Sequence, residues 1–86
     1  MYRSSELHDA AYEWIKSLPS GRIFRHADTY RFLEETFPVE CGLRGDSKIE
    51  PRYKNDARWA AEDAIGKNPR KNKIAVLVGH GEYKRL

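Results

Sequence analysis

Eighty-six residues, 40% of them hydrophobic and 12% aromatic, suffice for one small core and exclude a large multidomain arrangement. No apolar run approaches the ~18–20 residues of a membrane-spanning helix, and the opening MYRSSELHDA lacks the apolar centre of a signal peptide. The formal net charge of +3 is modest but uneven: residues 1–41 carry five Lys/Arg against seven Asp/Glu, and residues 42–86 carry eleven against six. Charge of that size is ordinary surface solvation when spread evenly. Gathered in one half, it points to a polyanionic partner. The single cysteine, Cys41, has no internal disulfide partner, which suggests a reducing setting and a soluble, cytoplasmic domain.

Leu7, Ala10, Ala11, Trp14, Ile15 and Leu18 recur at helical spacing, with Glu6, Asp9, Glu13 and Lys16 on the other faces. Ser4 or Ser5 suits the N-cap, Glu6 the positive end of the dipole and Pro19-Ser20-Gly21 the stop, so a first helix is predicted over residues 5–18. Arg22-Ile23-Phe24-Arg25 predicts one short strand or extended segment. HADTYRFLEETF then sets Ala27, Tyr30, Leu33 and Phe37 on one side, with Phe32 widening the stripe and Pro38 ending it. That predicts a second helix over residues 26–36. PVECGLRGDSKIE, residues 38–50, has two glycines, a proline and no period, and reads as a long loop.

Pro51 suits the first turn of a third helix over residues 51–65. Tyr53, Ala57, Ala60, Ala61, Ala64 and Ile65 form its inward stripe, the alanines allow close packing, and Gly66 stops it. After the basic link KNPRKNK, Ile74–Val78 predicts a strand apolar on both sides. Gly79-His80-Gly81 predicts a three-residue reversal, and Tyr83 begins the return strand. The predicted class is mainly α (α+β), a three-helix bundle closed by a C-terminal β-hairpin, in one domain over residues 1–86. That is the element order of a winged helix-turn-helix.

Three stretches carry a resemblance. IFRHADTYRFLEETFP resembles the second-helix pattern of winged-helix domains attached to bacterial restriction endonucleases, especially the methyl-directed kind, in which an aromatic is followed by Asp-x-Tyr and a Glu run towards a Pro. DARWAAEDAIG is similar to their third helix, and GHGEYKRL resembles their Gly-x-Gly-x-Tyr-Arg-x-Leu wing. The likeness covers residues 23–86 and implies a DNA-reading accessory domain rather than a nuclease. It implies DNA contact from Arg52, Lys54, Asn55 and Arg58 and a wing at Gly79, His80 and Gly81. The long, basic KNPRKNK link and the long 38–50 loop depart from the pattern, so the angle of the third helix does not carry over.

The residues themselves point the same way. Spacings of three and four put Lys54, Asn55 and Arg58 on the face away from Tyr53, Ala57 and Ala61. Arg can read guanine, Asn can read adenine, and Lys meets phosphate. The plain alternative is a solvated helix face, but Glu62 and Asp63 confine negative charge to the far end. Lys67, Arg70, Lys71 and Lys73 put four cations in seven residues, either a phosphate clamp or a solubilising loop. Lys84 and Arg85 flank the wing and are open to the same two readings; His80 at its tip is either a minor-groove contact or, more commonly for such a position, an exposed turn histidine. The DNA-binding candidates are Arg52, Lys54, Asn55, Arg58, Lys71, Lys73, His80 and Lys84. Trp14 and Trp59 are expected at the core or its edge, Trp59 over the seam between the third helix and the hairpin.

His8, His26, His80 and Cys41 are too scattered for a metal site, and no Cys-x-x-Cys or His-x-x-x-His spacing occurs. Glu82-Tyr83-Lys84 and Asp46-Ser47-Lys48 supply only the Asp/Glu-x-Lys half of a nuclease motif, and no nucleophile–base arrangement accompanies them. The expectation is a double-stranded-DNA binder, regulatory or restriction-associated, without catalysis, cofactor or metal. The alternative is a protein-interaction or dimerisation module on the same scaffold, acting as a homodimer or beside a larger nuclease or regulator.

Overall fold

The computed structural model describes residues 4–41 and 52–86. Among them the elements run α1 (Ser4–Ser17), β1 (Ile23–Arg25), α2 (His26–Thr36), α3 (Arg52–Ala64), β2 (Ala75–Gly79) and β3 (Glu82–Arg85). Most of the loop expected over 38–50, together with Pro51, lies outside the described residues. Local chemistry explains where the helices stop and start. Gly21, at φ 87°, turns the chain after α1. Asp28 accepts a hydrogen bond from the Arg25 backbone N–H at 2.9 Å, tying down the start of α2. Past α3, Gly66 (φ 95°) donates to Asp63 O and Lys67 to Glu62 O, both at 3.1 Å, the paired bonds of a Schellman stop.

The three strands form one antiparallel sheet in the order β1-β3-β2. Phe24 pairs with Tyr83, and Tyr83 with Leu77, so the last strand lies between the other two. The Arg85 guanidinium locks this strand to the first helix. Its Nε and Nη2 donate to the Lys16 carbonyl at 3.3 and 3.0 Å, at the negative end of α1, while Nη1 reaches the Ile74 carbonyl at 3.2 Å. The role is structural: Arg85 satisfies the Lys16 carbonyl at the end of α1.

One apolar cluster joins all three helices to the sheet through Leu7, Ala11, Ile15, Phe24, Leu33 and Tyr83 and the alanine face of α3. Ala57, Ala60, Ala61 and Ala64 are buried there, as their stripe predicts. Two expectations need correction. Ala27 is exposed, and Thr29 takes the buried position with Leu33, because α2 is rotated so that His26 and Tyr30 face α3 and the sheet. The β2 strand, apolar on both sides, is buried only at its start: Ala75 is buried, whereas Leu77 and Val78 are 56% and 52% exposed where the hairpin runs beyond the core. The reversal is also tighter than three residues. Gly79 pairs with Glu82, leaving His80-Gly81 as the turn, with Gly81 at φ 70° and Val78 bulged between the ladder pairs.

Cys41 follows α2 and is 4% exposed. Burial, then the negative charges of Glu34, Glu40 and Asp56, push its thiol from 9.0 up to about 11. The native thiol is therefore expected to resist iodoacetamide at pH 8 and to react once urea unfolds the chain, as read by mass spectrometry. Because the folded value is the higher one, the associated stability is complete below pH 9.0 and is lost as the pH rises towards about 11.

Candidate nucleic-acid interface

Helix α3 packs its alanines inward against α1, so its other residues sort by angle. Asn55, Trp59 and Glu62 are exposed, one turn apart, while Lys54 and Arg58 lie half-buried on the flank beside α2. Arg58 Nε donates to the Tyr30 hydroxyl at 3.0 Å, and Arg58 Nη1 donates to Asn55 Oδ1 at 2.9 Å. Lys54 Nζ stands 5.4 Å from the centre of the Tyr30 ring, a cation over a π face. Two of the sequence candidates thus meet on one tyrosine from the neighbouring helix, and Asn55 joins them through Arg58.

Tyr30 is itself fixed by other rings. It meets Tyr53 edge-on at 6.1 Å and stacks with His26 at 6.2 Å, and His26 meets Tyr83 of β3 edge-on at 5.3 Å. The Tyr53 hydroxyl donates to Glu34 of α2. Burial, reinforced by that carboxylate, raises the Tyr53 phenol above the ordinary range, and burial with Glu62 nearby does the same for Tyr83. His26 is shifted the other way. Burial first, then the positive charge of Arg58, lower its pKa, while Glu62 opposes the shift. At neutral pH the imidazole is uncharged, and the positive charge of this junction resides on Arg58 and Lys54.

The other candidates sit elsewhere. Arg52 opens α3, and its side chain lies outside what is described. Lys71 belongs to a different surface: its Nζ is 4.9 Å from the centre of the Tyr12 ring and 3.6 Å from Asp9 Oδ1, both on α1. Lys73 is exposed and passes beside Gly66. His80 is exposed at the hairpin turn. Lys84 is exposed on the outer face of the sheet, in register with Ile23 on one side and Val76 on the other. Arg25, also exposed, pairs with Glu82 at 2.7 Å.

Trp59 departs from expectation. It does not cover the seam with the hairpin; the indole is 50% exposed, and its ring neighbour is His8 of α1 at 6.4 Å. His8 Nε2 in turn donates to Asp63 Oδ2 at 2.6 Å, linking α1 back to the end of α3. The signal was present in the sequence, since Trp59 lies off the alanine stripe and one turn beyond Asn55. Nothing in the sequence named His8 or Asp63 as partners, because they lie 55 positions apart. Trp14 does sit at the core edge, stacked on Phe32 at 5.5 Å and edge-on to Phe24 at 6.1 Å.

Among the described residues no group of three or more His, Cys, Asp or Glu is placed to hold a metal ion, and no helix is long and apolar enough to cross a membrane. No family model matches the chain, and no curated protein or solved structure matches it either.

Proposed function

We propose that this chain is a winged-helix module that binds double-stranded DNA, with the start of α3 in the major groove and the β2–β3 turn against the backbone. The observation that carries this reading is the Tyr30 platform, which engages Arg58 and Lys54 beside the solvent-facing side of α3, with Asn55 bound to Arg58 in turn. Side chains ordered before binding lose less entropy on docking, which favours a recognition role over plain solvation. The element order and the sheet order β1-β3-β2 support a helix-turn-helix with a wing. The likeness to winged-helix domains of restriction endonucleases makes a restriction-associated or regulatory setting the natural one. In this reading the chain performs no catalysis and needs no cofactor.

The test is fluorescence anisotropy with labelled duplexes across a salt series. Binding is expected to weaken with salt at a log–log slope of about 0.9 per phosphate engaged. Absence of binding to every duplex at about 50 mM salt counts the reading out. A second reading, docking or dimerisation through the hairpin, is favoured by the exposed Leu77 and Val78 on an edge strand. Sedimentation of the free chain separates the two readings.

A further inference from the structure

The α3 surface holds one large apolar group that phosphate contact does not explain. Trp59 lies four residues after Asn55 on the same exposed stripe and is half open to solvent. Its ring neighbour is His8 of α1, tilted to the indole at 6.4 Å between centroids and held by the 2.6 Å bond to Asp63, itself 7% exposed. A residue of α1 anchored to α3 thus stands beside the exposed ring. Leu77 and Val78, also exposed, belong to the hairpin rather than to this helix. The neighbours of Trp59 on the stripe are polar, Asn55 on one side and Glu62 on the other, with Arg58 adjacent in sequence. An isolated aromatic among hydrogen-bonding groups suits a base edge better than an apolar protein surface.

We infer that Trp59 is a specificity-determining residue that packs on the 5-methyl group of a thymine in the major groove, in a site whose neighbouring adenine is read by Asn55. The inference rests on the DNA-binding reading above and deepens it. The chemistry is restrictive, because in unmodified DNA the thymine methyl is the one apolar group presented on the major-groove edge of the bases. The spacing fits as well. Four helical residues rise about 6 Å, within about two base-pair steps of 3.4 Å, so both side chains can address one short A·T-containing stretch.

The experiment begins with duplexes selected by the full chain from a random library and compares each with its copy carrying uracil for thymine. Uracil pairs identically and lacks only the methyl. Affinity is expected to fall about fourfold for each contacted methyl, the worth of one buried methyl-sized group. Trp59→Ala should bind thymine and uracil duplexes alike, whereas Trp59→Phe should keep part of the preference. Circular dichroism of each variant verifies folding, which a half-exposed side chain is expected to leave intact. Equal affinity of the wild-type chain for thymine and uracil duplexes overturns the inference while leaving DNA binding standing. A uracil penalty that survives in Trp59→Ala also overturns it, by moving the contact to another residue. So does a preference that responds only to 5-methylcytosine. Selection of no duplex at all removes the inference together with the reading beneath it.

Discussion

Phe24→Ala is expected to remove most of the chain's stability at 25 °C. Phe24 is the inward residue of the three-residue strand β1 and is 2% exposed. Its ring stacks on Tyr83 at 5.5 Å and meets Trp14 edge-on at 6.1 Å, so it connects the sheet to α1. Truncating a buried Phe costs about 3–5 kcal/mol, part transfer and part cavity. A single small core of this length supplies total stability of about the same size, so this one change consumes most of the margin. The loss extends beyond the ring, since Phe24 pairs in register with Tyr83, and Tyr83 supports His26 at the α2–α3 junction. Urea unfolding followed by far-UV circular dichroism gives the answer. A midpoint equivalent to less than about 1 kcal/mol of destabilisation would mean that β1 is peripheral and the core is centred on the helices alone.

The fold could be read from the sequence wherever the pattern was local. Helical periodicity placed α1, α2 and α3 because their apolar residues recur on one face, and Pro19, Gly21 and Gly66 marked ends that the backbone bears out. Patterning failed where tertiary context chose between equivalent faces. Ala27 and Thr29 are similar in size, and either could sit under α2; the pairing of His26 and Tyr30 with α3 and β3 rotated the helix in favour of Thr29. The run IAVLV reads as a strand apolar on both sides, but hydrophobicity alone does not show how far a hairpin projects beyond its core. Asp63 reads in the sequence as part of the negative end of the third helix, yet it is buried, because its partner His8 lies on α1.

The candidate site was legible to the same degree. Spacing alone gathers Lys54, Asn55 and Arg58, and the Arg58–Asn55 contact follows from the helix. The platform beneath them was not legible. Tyr30 is 28 residues from Arg58 and carried no mark beyond its place on an apolar stripe. Charge density leaves the basic link open between a phosphate clamp and a solubilising loop; the Lys71 side chain lies over Tyr12 and beside Asp9 of α1. Counting cations finds a basic segment; it does not find which surface the segment covers.

Arg58→Ala is expected to weaken duplex binding about tenfold to a hundredfold, the range for loss of one well-placed base-reading arginine. Stability should change little, because Arg58 is only half-buried and the Tyr30 hydroxyl it leaves behind can meet water. The salt slope distinguishes two roles for the guanidinium. Loss of a phosphate contact lowers it by about one, whereas loss of a base contact leaves it nearly unchanged and relaxes sequence preference. Arg58→Lys sharpens the contrast by keeping the charge and removing the planar fork, so a base reader fails in the lysine variant while a phosphate contact survives. An independent readout confirms that the side chain sits where the structure puts it. Burial is the main cause of the lowered His26 pKa and Arg58 is the second, so removing the arginine should move the His26 titration upward, towards 6.5, by NMR. The lowered value also means that His26 favours the fold above pH 6.5, and that this contribution fades as the pH falls below it. Raising the folded value narrows the pH range over which that loss occurs, so Arg58→Ala should unfold less readily in mild acid relative to its own neutral-pH stability. A variant that shows the His26 shift yet binds duplex DNA as tightly as the wild-type chain would place Arg58 correctly and remove it from the interface. The exposed hairpin residues Leu77 and Val78 would then become the better guide to what this protein touches.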